Sequence, residues 1–158
     1  MKGRFVKILP VLALLVTLVG CKTLSGAQKT PDEQNTVAAP DHLPPQTLKK
    51  GECALFLFTT EAPKRFVFFH KQGDVRAKFI DGQRAFELQA GTPLDDLSLM
   101  ETFEIEYIEN KNRYFLSAAF TEALEEGRRL RATLKQRKPD GWEKITPLAG
   151  VYACETGE

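Results

Sequence analysis

Residues 121–138, TEALEEGRRLRATLKQRK, admit two readings, and the choice between them sets the fold class. Read as a helix, Leu124, Leu130 and Leu134 share a rough face. Acids come early, bases come late, and Glu125 and Arg129 stand four residues apart. Gly127 in mid-run weighs against a helix, and so does the next stretch of chain. Lys138-Pro139-Asp140-Gly141-Trp142 carries the x-Pro-Asp-Gly-x signature of a turn, and a hairpin needs a strand before it. Read as a strand, Leu130, Ala132 and Leu134 point inward while Arg129, Arg131, Thr133 and Lys135 point outward. The strand reading makes the domain all-β.

The neighbouring segments agree with it. Glu101 to Glu109 alternates strictly, with Phe103, Ile105 and Tyr107 on one face and Glu104 and Glu106 on the other. Arg113 to Phe120 comes after Asn110-Lys111-Asn112. Upstream, Cys53–Thr60 and Arg65–His70 pair as a hairpin around Glu61-Ala62-Pro63-Lys64. Val75–Ile80 and Arg84–Gln89 pair around Asp81-Gly82, with Phe86 and Leu88 on one face. The last strand runs from Trp142 toward Cys154, interrupted by Pro147 and Gly150. About eight short strands without a βαβ unit predict an antiparallel barrel or sandwich. One short helix is expected at 92–100. Thr92 would cap it, Pro93 suits its first position, Asp95 completes a capping box, and Leu94 and Leu97 share its buried face.

The N-terminus sets the compartment. Lys2, Arg4 and Lys7 precede an apolar run from Ile8 to Val19, too short for a helix across ~30 Å of hydrocarbon but suited to a secretory signal. It ends in Leu18-Val19-Gly20-Cys21, which resembles the lipobox of bacterial lipoproteins. That resemblance implies cleavage of residues 1–20 and acylation of Cys21. It also implies the membrane as a partner through the lipid anchor. Lys22, where Asp would favour inner-membrane retention, points to the outer membrane facing the periplasm. Two or more acyl chains make such an anchor stable.

The chain has 22 Lys+Arg and 21 Asp+Glu; residues 1–20 hold three of the bases and none of the acids, so the processed form carries a net −2. That balance does not suggest a nucleic-acid partner. Residues 21–50 hold the lipidated Cys21 and a run with four prolines and no Phe, Tyr or Trp. They read as a disordered tether, reaching about 30 Å, and the β domain occupies 51–158. With Cys21 acylated, Cys53 and Cys154 remain, and an even pair in an oxidising compartment reads as a disulfide. They lie on the first and last strands, which favours closure into a barrel. The two ends of the domain, GECALFLF and DGWEKITPLAGVYAC, also resemble small uncharacterised envelope proteins of Gram-negative bacteria, a likeness that carries no function.

Few residues suggest chemistry. His42 and His70 lack a third partner for zinc, and no cofactor or metal is expected. Asp95-Asp96 reads as helix-start acids rather than a catalytic pair. Ser98 and Ser117 lie outside any nucleophile elbow, and phosphate-binding glycine motifs are absent. The chain is expected not to be an enzyme.

Two surface features remain. Glu104, Glu106 and Glu109 form an acidic stripe and Arg129, Arg131, Lys135 and Arg137 a basic one. The opening hairpin is apolar on both faces, Leu55 and Leu57 against Phe56 and Phe58, and Phe66 and Phe68 against Val67 and Phe69. One face must be covered, either by the 92–100 helix or by a partner. Phe56, Phe58, Phe69, Arg129, Arg131 and Lys135 are therefore the candidate partner surface. The expected role is non-catalytic binding, with an envelope protein as partner. The alternatives are a periplasmic inhibitor of a hydrolase such as a lysozyme or protease, acting through 121–129 or 110–112, and a carrier of a hydrophobic ligand inside the barrel.

Overall fold

The computed structural model describes residues 40–157; the expected signal segment, Cys21 and most of the expected tether lie outside them. Eight strands follow one another: β1 (Cys53–Thr59), β2 (Phe66–Lys71), β3 (Arg76–Asp81), β4 (Arg84–Ala90), β5 (Thr102–Glu109), β6 (Asn112–Leu124), β7 (Gly127–Arg137) and β8 (Glu143–Cys154). Each pairs antiparallel with its neighbour in sequence, and β8 returns to β1, so the sheet is a closed barrel. Closure settles barrel against sandwich and leaves the sheet without free edges.

The disputed run 121–138 is strand for most of its length, but not one strand. Thr121–Leu124 ends β6, Glu125-Glu126 is a two-residue turn, and β7 starts at Gly127, which pairs with Leu124. Gly127 has φ 155°, and a Cβ there would lie 2.3 Å from the Tyr152 carbonyl oxygen. The glycine that weighed against a helix is thus needed where β7 meets β8. The Pro139-Asp140-Gly141 turn forms as read, with the Lys138 amide bonded to the Trp142 carbonyl at 2.9 Å and Gly141 at φ 86°. Pro147 and Gly150 do not interrupt β8, which runs unbroken to Cys154.

Alternation sets the wall. Leu55, Leu57, Phe68, Leu88, Tyr107, Leu116, Leu130, Leu134, Leu148 and Tyr152 are all almost fully buried in one core. The expected inward sets on β5 and β7 are among the core residues: Phe103 and Tyr107, and Leu130, Ala132 and Leu134, with Ile105 packed against them. Strand partners Cys53 and Cys154 are bridged by a disulfide and join the first strand to the last. The outer wall carries charges on most strands, so polarity runs opposite to that of a membrane-spanning barrel, which is apolar outside.

No helix forms at 92–100; none occurs among the described residues. The backbone groups that would make helical bonds are engaged elsewhere. The Leu94 amide donates to the Asp74 carbonyl and the Leu94 carbonyl accepts from Gly73, both at 2.9 Å. The Ser98 amide is held by Asp96 Oδ1 at 2.9 Å, and Arg128 donates to the Ser98 and Met100 carbonyls. A capping signature is local, and these tertiary bonds outweigh it. Leu94 and Leu97 are buried as expected, but where this segment meets the β2–β3 turn, not over the opening hairpin.

The β2 side of that hairpin is covered instead by residues 41–48, while Phe58 on β1 stays open. The tether expected through residue 50 gives way to an ordered strap at its C-terminal end. Arg65 donates to Asp41 Oδ2 at 3.0 Å, the Leu43 amide to the Phe66 carbonyl at 2.7 Å, and Lys78 to Gln46 Oε1 at 2.7 Å. Leu43 is 4% exposed, and Leu48 packs on the core. Pro44 and Pro45 keep this stretch extended without needing amide partners. These two leucines are the apolar content that lets it lie ordered.

Candidate functional site

The β1–β8 and β7–β8 registers place three outward side chains in a row. Phe58 on β1 opposes Ala149 on β8, which opposes Arg131 on β7; one step along, Phe56, Val151 and Arg129 form a second row. Adjacent strands lie about 4.8 Å apart, so a phenylalanine and an arginine stand ~10 Å apart with only a methyl or isopropyl group between them. The result is a groove of about 470 Å3 across the wall, lined also by Lys64, Thr121 and Glu122.

Gly150 lets its flanks meet. A Cβ on Gly150 would lie 1.9 Å from the Phe56 carbonyl oxygen, so β8 approaches β1 this closely only with glycine there. On the β6 side the register shifts between Phe120 and Glu122. Arg129 bonds Glu122 Oε2 at 2.6 Å, an exposed pair of small energetic weight that holds the guanidinium in position. Arg131 has no ion pair among the described residues. Lys64, Arg129 and Arg131 face the single acid Glu122, so the groove is basic. One wall is aromatic: the Phe56 and Phe66 rings lie 5.9 Å apart and Phe58 and Phe66 5.2 Å apart.

The structure thus brings three of the six candidate partner residues into the groove lining, Phe58, Arg129 and Arg131, with Phe56 beside it as the strand partner of Val151. The other two lie outside the groove lining. Phe69 packs edge-on against Phe56, ring centroids 5.2 Å apart, but is only 8% exposed, with Lys78 Nζ 5.7 Å from its ring centroid. Lys135 stands four residues along β7, its Nζ 5.5 Å from the Phe115 ring, which Arg113 and Arg137 also flank. Ala149, Val151 and Glu122 complete the groove and escape sequence reasoning. Their only signal is small outward residues on β8, visible once the register is known.

The acidic and basic stripes do not face each other, because β6 lies between β5 and β7. Glu106 pairs with Arg113 on β6 at 2.5 Å, Glu109 with Arg84 on β4 at 3.6 Å, and Arg137 with Glu143 on β8 at 2.7 Å. They are local cross-strand pairs. The Arg113 guanidinium holds Glu106 below the usual carboxylate range, and Arg137 does the same for Glu143.

His70, Tyr107 and Tyr152 are tied into hydrogen bonds inside the barrel. His70 is fully buried. Its Nε2 lies 2.9 Å from the Asp74 carbonyl oxygen and its Nδ1 2.9 Å from Tyr107 Oη. A carbonyl only accepts, so Nε2 carries the proton and Tyr107 donates to Nδ1. Burial lowers the His70 pKa and raises that of Tyr107. Tyr152, pushed up to about 12 by burial, donates its single hydroxyl proton to Gln72 Oε1 at 2.7 Å, with Asp96 Oδ1 also near at 3.2 Å. Asp96 is held low chiefly by the Ser98 amide, so this acid fixes a turn. Among the described residues no three acid, His or Cys side chains gather as a metal site.

No family model matches this chain, and no curated protein or solved structure matches it.

Proposed function

We propose that this chain is a lipid-anchored protein of the bacterial envelope, held through Cys21 at the outer membrane facing the periplasm, and that it acts by non-catalytic binding of an envelope protein. The groove between Phe56/Phe58 and Arg129/Arg131 is the observation that carries the reading. Aromatic and arginine side chains contribute most per residue at protein interfaces, and a basic groove fits an acidic, partly apolar segment. Barrel closure leaves side chains, not a strand edge, to do the recognising.

The carrier reading has less support. Interior positions are occupied by Phe68, Phe79, Tyr107, Tyr114 and Leu116, and a small barrel filled this way has no room for a guest. The inhibitor reading needs a projecting loop. Of residues 110–112, Asn110-Lys111 is a two-residue turn closed by the partners Glu109 and Asn112, and Glu125-Glu126 is as short.

Two variants of the full chain test the proposal. Cys21→Ser should lose palmitate incorporation and leave the membrane fraction; undiminished labelling overturns the anchor. Phe58→Ser combined with Arg131→Glu should keep membrane attachment and melting temperature while losing the protein partner recovered by crosslinking in intact cells. Undiminished recovery overturns the groove.

A further inference from the structure

The barrel interior is apolar through its middle and turns polar at one end. Beyond Leu130, Ala132 and Leu134 the next inward position on β7 is Gln136, opposed on β8 by Lys144. The same phase ends at Asp81 and Arg84 on β3 and β4, and at Glu109 and Asn112 on β5 and β6. These strand ends surround a recess of about 290 Å3, with Phe86 and Tyr114 toward the core and Trp142 at the lip. A second recess of about 270 Å3 shares Asp81 and Lys144 with it. Joined across that pair, the two fall in the ~300–1,000 Å3 range of small-ligand sites.

Both acids of the ring are paired. Lys144 bonds Asp81 Oδ1 at 2.6 Å and Arg84 lies 3.6 Å from Glu109 Oε1. Gln136 Nε2 donates to Tyr114 Oη at 3.0 Å. Lys138 and Glu61, one in each recess, have no ion pair among the described residues, but the joined lining carries four acids and four bases, so a charged ligand gains little there. Each group of the ring keeps hydrogen-bonding capacity, since a carboxylate accepts at several sites and a guanidinium has five donors. Trp142 is half-exposed and fixed by its turn: its amide donates to Asp140 Oδ1 at 3.0 Å, and Lys138 Nζ stands 4.5 Å from its ring centroid. An indole kept in water beside planar polar side chains suits a ligand with an apolar C–H face and a rim of hydroxyls.

We propose that this end of the barrel binds a neutral carbohydrate, a short oligosaccharide that stacks on Trp142 and exchanges hydrogen bonds with Glu109, Arg84 and Gln136. The residues it contacts lie at the strand ends and none of them lines the groove, so the site does not depend on the groove's having a partner.

Trp142 is the sole tryptophan of the chain, so indole emission of the full-length protein reports on this site alone. Titration with cellotriose, maltotriose and triacetylchitotriose should give, for at least one, a saturable change in emission. Glu109→Gln and Gln136→Ala should each weaken that binding at least tenfold with the melting temperature within a few degrees of wild type. Trp142→Ala, followed by calorimetry, should abolish it. No saturable response to any of the three sugars overturns the proposal. So does binding that survives in the two polar variants, or a response to inorganic phosphate alone. Should either polar variant fail to fold, Trp142→Ala at the exposed lip decides.

Discussion

Gly150→Ala isolates the contact that closes the barrel. The added Cβ would stand 1.9 Å from the Phe56 carbonyl oxygen and 2.9 Å from Leu57 Cα and Cδ2. Non-bonded carbons rest ~3.5–4.0 Å apart, and one obstacle is backbone, so β1 must retreat from β8 by more than ~1 Å. Overpacking alone costs ~1–3 kcal/mol. Losing about two hydrogen bonds of the β1–β8 ladder adds ~1 kcal/mol each. The sum is about 3–5 kcal/mol, or a fall in Tm on the order of 10–20 °C for a domain this size. Gly91→Ala is the control. Its Cβ meets nothing within 4 Å, so it should be neutral or stabilising by ~0.4–1 kcal/mol through the unfolded state. Thermal and urea unfolding of both variants, disulfide intact, make the comparison. A Gly150→Ala protein that melts within about 2 °C of wild type would refute the register at the closing seam.

The same geometry sets three further outcomes. Replacing Cys53 and Cys154 together by alanine removes a link across 101 residues and should cost up to ~4.7 kcal/mol in the chain-entropy model; urea midpoints that do not move would show that the bridge adds no stability. His70 has a lowered pKa in the folded protein because burial disfavours its charged form, so the unfolded chain binds the proton first as pH falls. Stability should be insensitive to His70 above about pH 6.5 and decline below it. His70→Phe, less stable overall with Tyr107 unpaired, should have a flatter slope between about pH 7 and pH 5.5; equal slopes would contradict a neutral buried imidazole. Leu43→Asp buries a charge in the strap and should cost about 2–4 kcal/mol by chemical denaturation, whereas no change would mean residues 41–48 are not packed.

Strand order and most inward faces were legible because most segments alternate and end in turn residues. Phe103-Glu104-Ile105-Glu106-Tyr107 and Leu130-Arg131-Ala132-Thr133-Leu134 show their buried faces directly. The cysteine pair supplied closure. What was not legible depends on contacts between distant segments. Thr92-Pro93-Leu94-Asp95 carries a helix-start signature, yet Asp74, Gly73 and Arg128 take the backbone groups of this segment. Prolines made residues 41–48 look like a linker, although Leu43 lies buried beside Phe66. The groove became visible only with the register that sets Ala149 between Phe58 and Arg131. The polar end had a faint signal, Gln136 continuing the apolar phase of Leu134, but its aromatic lip and acids come from separate strand ends.

The central claim is that the protein acts through its outer wall. A photo-crosslinking amino acid at Ala149, in the groove floor, tests this in intact cells expressing the full anchored chain, with the same probe at Gln83 on the β3–β4 turn as reference. One discrete protein adduct is expected from Ala149, lost when Arg131→Glu is added and absent from Gln83. Adducts of equal pattern and yield from both positions, or none from Ala149, would contradict the claim.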